Sequence, residues 1–230
     1  MIDLQVDGQV HVLRMNQGEN RFNRASLDAW NAALDRIEQS ELPTALVTCG
    51  EGKFYSNGLD LDWMAAAGRD EAIENVQRVH ELLVRMLTLP VISVAAVGGH
   101  AFGAGAMLAL AHDFRVMRSD RGFFCLPEVD IPLPFSETMR LVVTSRLSSQ
   151  SAHEAMVTGK RYGGPQALER GIVDAVEIES ELLPKAIALA KSLAGKHRAT
   201  LGAIKQAKYT EVIAACERAR AERNRAPMKV

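Results

Sequence analysis

The segment Val91-Ile92-Ser93-Val94-Ala95-Ala96-Val97 most restricts how this chain can fold. It is β-branched and almost wholly apolar, with Pro90 before it and Gly98-Gly99 behind. Such a strand has no polar side to turn to solvent and must be covered on both faces, as in a parallel sheet flanked by helices. The surrounding pattern supplies those layers. Leu4-Gln5-Val6 and the run from Gln9 to Leu13 flank Asp7-Gly8, a pair suited to a type I′ hairpin turn. Leu27, Trp30, Ala33, Leu34 and Ile37 recur at helical spacing behind Ser26, which reads as the N-cap, and Pro43 ends that helix. Residues 44–49 form a short buried strand, and residues 50–58 are too glycine-rich for the interior of a helix or strand.

Further along, Ile73, Val76, Val79, Leu83 and Leu87 predict a second amphipathic helix over residues 70–89. Residues 98–105 turn sharply into a helix over 106–111. Short strands are predicted at 114–118 and 122–125, and a helix at 135–145. Beyond Ser148 the pattern is mainly helical: 151–157, 165–170, 182–193 and 199–223, with one strand at 172–176. Pro165 suits a first helical position. The chain reads as an α/β core followed by a helical tail, without repeats or a flexible linker.

Composition narrows the function classes. With 47% apolar and 24% charged residues in 230, the chain is an ordinary globular sequence able to bury a core without disulfide or metal staples. Its 27 basic and 28 acidic residues leave a net charge of -1, which lacks the electrostatic footprint of a nucleic-acid or anionic-membrane binder. Cys49, Cys125 and Cys216 are odd in number and widely spaced, pointing to a reducing compartment and to no zinc site. The N-terminal residues do not read as a signal peptide, no apolar run is long enough for a bilayer, and the last four residues carry no peroxisomal address. A cytoplasmic protein is expected.

Two glycine turns are the strongest chemical features: Ser56-Asn57-Gly58-Leu59-Asp60-Leu61 and Gly103-Ala104-Gly105-Ala106. Each can present free backbone N–H groups at a helix start, the means by which proteins hold an anion or a developing oxyanion. Glycines that only permit a tight turn are the plainer reading. A dinucleotide-binding reading of the second turn is weak, because Leu108 stands where the third glycine belongs. Glu128, between Pro127 and the apolar Val129 and Ile131, is a candidate base if partly desolvated; Glu137 is a second acid–base candidate. A solvated or ion-paired surface role is the common outcome for a lone glutamate. His100 reads as structural, and His112-Asp113 are adjacent residues that face apart. No HExxH, GxSxG, Walker A or EF-hand pattern is present.

Taken in order, Phe54-Tyr55-Ser56-Asn57-Gly58-Leu59-Asp60-Leu61, the run from Ala95 to Gly105, His112 to Arg115, Pro127-Glu128-Val129-Asp130-Ile131 and Thr158-Gly159…Ala167…Gly171-Ile172-Val173-Asp174 resemble the crotonase (enoyl-CoA hydratase/isomerase) superfamily, and its Δ3,Δ2-enoyl-CoA isomerase branch in particular. The likeness runs from the hairpin to about Asp174, roughly three-quarters of the chain. It implies a spiral of ββα turns over residues 1–174, a C-terminal helical region over 175–230 that mediates trimerisation, and assembly as a homotrimer or hexamer. It also implies an acyl-CoA substrate, with coenzyme A as part of that substrate and no separate cofactor, metal, nucleic acid or membrane partner.

Carried over residue by residue, the amides of Leu59 and Ala104 would hold the thioester oxygen and Glu128 would move the proton. Ser56, Asn57 and Gly58 would lie near adenine, while Arg21, Lys53, Lys205 or Lys208 could meet phosphates or remain solvated. Hydratases of this family carry a second glutamate where this chain has Met107, which would instead line a dry pocket. Moving a double bond needs one base; adding water needs two groups. The implied activity is therefore isomerisation of a 3-enoyl-CoA to the trans-2-enoyl-CoA in fatty-acid metabolism. The rivals are a hydratase in which Glu137 supplies the missing carboxylate, and a non-catalytic CoA-binding or RNA-associated protein of the same fold.

Overall fold

A computed structural model of the protein describes residues 2–40 and 44–225; the break assigned to Pro43 and the last four residues lie outside them. The predicted hairpin is β1 (Ile2–Asp7) and β2 (Val10–Met15), paired antiparallel. Strands β3 (Ala45–Gly50), β5 (Ile92–Val97), β7 (Phe114–Arg118) and β9 (Ala175–Glu177) follow in parallel, giving a six-stranded sheet in the order β1-β2-β3-β5-β7-β9. A second, three-stranded parallel sheet is made by β4 (Phe54–Ser56), β6 (His100–Phe102) and β8 (Phe124–Cys125).

The central strand is covered on both faces, as its composition requires. Ile92, Val94 and Ala96 pack in one cluster with Leu182, Ala186 and Ala190 of α8 (Glu179–Leu193). Ala95 and Val97 point the other way into the larger core. That core is closed by α1 (Arg24–Glu38), α3 (Arg69–Thr88) and α4 (Ala104–Leu110). The helical C-terminal region thus begins inside the main sheet, with β9 as its edge strand and α8 as its cover. Helices α5 (Glu137–Arg146), α6 (Ser149–Thr158) and α7 (Gly164–Glu169) lead up to it. Among the described residues, no helix is long and apolar enough to cross a membrane.

Several local expectations are corrected. The cap of α1 is Asn23, not Ser26: the Ser26 amide donates to Asn23 Oδ1 at 3.1 Å and the Asn23 amide to Ser26 Oγ at 2.9 Å, a reciprocal capping box. Strands β4 and β6 form inside segments whose glycines suggested loop. Three residues carry no readable period, and these strands form through pairing, β4 with β6 and β6 with β8. A short helix, α2 (Leu61–Ala67), is capped by Asp60, and a 3₁₀ turn spans Pro127–Val129. The long C-terminal helix divides into α9 (Arg198–Lys208) and α10 (Thr210–Arg225). Tyr209 at the break is buried, and its hydroxyl accepts a 2.8 Å bond from Arg146, so tertiary anchoring overrides helix continuity. The strand predicted from Ile172 begins only at Ala175, because Ile172 and Val173 are taken up by the main core first.

Candidate active site

The two glycine turns pack against each other backbone to backbone. A Cβ on Gly58, where φ is +77°, would lie 2.8 Å from the Phe102 carbonyl oxygen and 3.1 Å from the Ala104 amide nitrogen. A Cβ on Gly105 would run into the Ser56 carbonyl oxygen. Only glycine permits both approaches. Leu59 follows one turn, and Ala104 opens α4, where the first amides of a helix lack intrahelical partners. No hydrogen bond from either amide is found among the described residues.

Both residues line a cavity of about 340 Å³ together with Glu128, Asn57, Phe102 and Ile131. Glu128 sits in the 3₁₀ turn behind Pro127 and is 6% exposed. Its Oε2 has no hydrogen-bond partner. Burial pushes its carboxyl up to about 7, opposed only by a bond from its own backbone. A carboxyl so placed is half ionised near neutrality, which suits a group that must both take and return a proton. Asp62, the second acid on the lining, is 88% exposed and paired with Arg21 at 2.7 Å.

The remaining sequence candidates fall into distinct places. The Asn57 side chain donates to Glu19 at 2.8 Å while lining the cavity. Ser56 is buried as a brace: its Oγ donates to the Asn20 carbonyl at 2.7 Å and accepts from the Gly58 amide at 3.2 Å. Met107, expected to line a dry pocket, is fully buried in the main core, one turn into α4 after Ala104. Glu137 is absent from the lining; half exposed at the start of α5, it pairs with Arg218 at 2.8 Å. Lys205 is neither solvated nor free for phosphate, since its buried Nζ donates to Leu89 O at 2.9 Å, Val91 O at 2.8 Å and Asp113 at 2.7 Å. Lys53 and Lys208 lie over the rings of Phe54 and Tyr209, and Arg21 reaches the cavity rim.

Sequence reasoning missed Phe102, Leu61 and Ile131 as lining residues. Half-exposed Leu61 and Ile131, at 48% and 46%, make the rim apolar. Their signal is weak: an isoleucine three residues past Glu128 and a leucine behind a glycine turn resemble any core residue.

A buried carboxyl whose Oε2 lacks a hydrogen-bond partner lines the same cavity as two amides that make no hydrogen bond among the described residues, an arrangement chemically able to carry proton transfer next to a carbonyl. The spiral of parallel strands and helices that carries it is the crotonase fold. The sequence pattern of the enoyl-CoA hydratase/isomerase family matches residues 5–227, and the chain belongs to that family. It is 34% identical to enoyl-CoA delta isomerase 3 of Arabidopsis thaliana over 85% of this chain and 86% of that one. It is 29% identical to a probable enoyl-CoA hydratase of Bacillus subtilis, covering 92% of this chain and 83% of the relative. The crystal structure of an enoyl-CoA hydratase from Mycobacterium ulcerans superposes with a TM-score of 0.89 at 26% identity, over 97% of each chain.

Proposed function

We propose that the protein is a Δ3,Δ2-enoyl-CoA isomerase that works with a single carboxylate. Glu128 ionised takes a proton from C2 of a 3-enoyl-CoA. The C–H electron pair moves into the thioester, forming an enolate whose oxygen is held by the Leu59 and Ala104 amides. The Glu128 carboxylic acid then returns the proton to C4, the double bond settles between C2 and C3, and Glu128 is again ionised. No atoms are gained or lost, so no separate cofactor is needed.

The observation that carries this reading is the solitary character of Glu128. It is the one buried acid on the cavity lining among the described residues; Asp62 is exposed and paired, and Glu137 is not on the lining. Water addition requires a second group to activate water or to protonate carbon, and among the described residues no second buried acid lines the cavity. Three free, buried cysteines fit a reducing cytoplasm, and we place the reaction there, in a trimer or hexamer of this chain.

Purified protein is incubated with a 3-enoyl-CoA and, separately, with a 2-enoyl-CoA, and the ultraviolet absorbance of the conjugated thioester is followed. A rise with the first substrate and stability of the second supports the isomerase. Loss of absorbance with the second supports hydratase activity, the name borne by the Bacillus subtilis relative. Binding without change in either supports a non-catalytic protein.

A further inference from the structure

Three buried polar side chains that play no part in the proton transfer are bonded in one chain. Tyr55, Thr48 and His112 are each fully buried. His112 Nδ1 lies 2.8 Å from the Leu108 carbonyl oxygen, which can only accept, so Nδ1 carries the proton. Nε2 is then a bare acceptor, 2.9 Å from Thr48 Oγ1, and the Thr48 hydroxyl donates to it. The Tyr55 hydroxyl, 2.8 Å from the same Oγ1, donates in turn. Burial lowers His112 to about 4 and raises Tyr55 above its ordinary range, so neither changes charge near neutrality. The direction of every hydrogen bond is fixed.

This chain joins the two segments that carry the oxyanion donors. Tyr55 is in β4, four residues before Leu59. Leu108 is in the last turn of α4, the helix that opens at Ala104, and His112 follows two residues after that helix ends. Both segments are tied to one atom, Oγ1 of Thr48 in β3. At their other ends they meet through the glycine contacts of Gly58 and Gly105. With both ends held, α4 cannot slide past β4 without breaking a buried hydrogen bond or forcing backbone into backbone. Apolar side chains of the same volume would fill the space without this directional restraint.

We propose that Thr48, Tyr55 and His112 are positioning residues that set the separation and aim of the Leu59 and Ala104 amides. The assignment rests on the oxyanion role given to those amides under the isomerase reading.

Thr48→Val removes both hydrogen bonds at nearly constant shape, Thr48→Ser restores them, and Tyr55→Phe removes one. Four quantities are read: kcat and KM on a 3-enoyl-CoA, the melting temperature, and the absorption band of bound 2,4-dienoyl-CoA. That band moves to longer wavelength as the thioester carbonyl is polarised. In Thr48→Val, kcat falls on the order of tenfold to a hundredfold while KM stays within about twofold, and the red shift shrinks. Thr48→Ser recovers most of both rate and shift, and Tyr55→Phe falls between. A folded Thr48→Val that melts lower yet keeps the parent kcat and the parent shift overturns the proposal; if Thr48→Val does not fold, Tyr55→Phe decides by the same criteria. A parent protein that shifts the dienoyl band but does not isomerise overturns the isomerase reading alone. A parent that binds the dienoyl thioester with no shift overturns the positioning role.

Discussion

Gly103 and Glu128 share one gap: a Cβ built on Gly103 would sit 3.3 Å from Glu128 Oε1. The glycine just before the Ala104 amide therefore also leaves room for the carboxylate. Gly103 has φ +52°, a conformation L side chains rarely adopt, so the turn and the space both depend on the missing side chain. Gly103→Ala is expected to cost roughly 1 kcal/mol or more in stability from the backbone alone. By displacing base and donor together it should also lower kcat by roughly tenfold or more. Urea unfolding and steady-state kinetics on the same preparation check the two effects; an unchanged kcat would separate Gly103 from the site.

Replacing Glu128 by Gln keeps the size of the side chain and removes the base. Isomerisation should fall to near background, while the affinity for a 2-enoyl-CoA product, measured by calorimetry, stays close to the parent value. A folded Glu128→Gln protein that isomerises at the parent rate would remove Glu128 from the mechanism.

The raised carboxyl of Glu128 has two consequences with pH. The reaction needs the ionised base, so kcat/KM should rise with pH along a limb centred near 7. Stability runs the other way. An acid whose folded pKa is about 7 against an ordinary 4.5 contributes stability that is complete below 4.5 and is lost as pH rises through 7. The total is on the order of 3 kcal/mol. Melting curves from pH 4 to pH 9 should show the parent losing stability relative to Glu128→Gln across about 4.5 to 7. Parallel curves would mean that Glu128 is not desolvated.

Lys205 uses all three of its N–H donors inside the fold, on Leu89 O, Val91 O and Asp113. Burial lowers its pKa and Asp113 opposes that shift. Lys205→Met should destabilise the protein by roughly 3 kcal/mol by leaving Asp113 and two carbonyls without their partner. KM for an acyl-CoA should not change in the folded variant, as measured under conditions where it remains folded. A large rise in KM with little loss of stability would instead make Lys205 a phosphate ligand.

Glu137→Gln tests the second carboxylate. Its ion pair with Arg218 is exposed on both sides, so stability should move by less than about 1 kcal/mol. Isomerisation should remain within about twofold of the parent, since a surface pair far down the order of energies has no lever on the base. A loss comparable to that of Glu128→Gln would return Glu137 to the chemistry.

Much of the architecture is written locally. The run from Val91 to Val97 demands cover on both faces, and it lies between α8 on one side and the main core on the other. Asp7-Gly8 turns the hairpin, and the spacing of Leu27, Trp30, Leu34 and Ile37 places the buried stripe of α1. The two glycine turns and Glu128 are visible as residue types, because backbone donors need glycine-permitted turns and proton transfer needs a titratable group. What the sequence does not contain is the gathering. Only folding brings Gly58 against Ala104, empties the space beside Gly103 for Glu128, and buries that carboxyl with its Oε2 unpartnered. The same holds for what is left out. Met107, Glu137 and Lys205 are each plausible site residues by type, and tertiary packing sends one to the core, one to a surface ion pair and one to a buried amide-carbonyl clamp. Period and turn chemistry act over a few residues, whereas desolvation and the separation of two amides depend on segments tens of residues apart, which is why only the folded chain decides them.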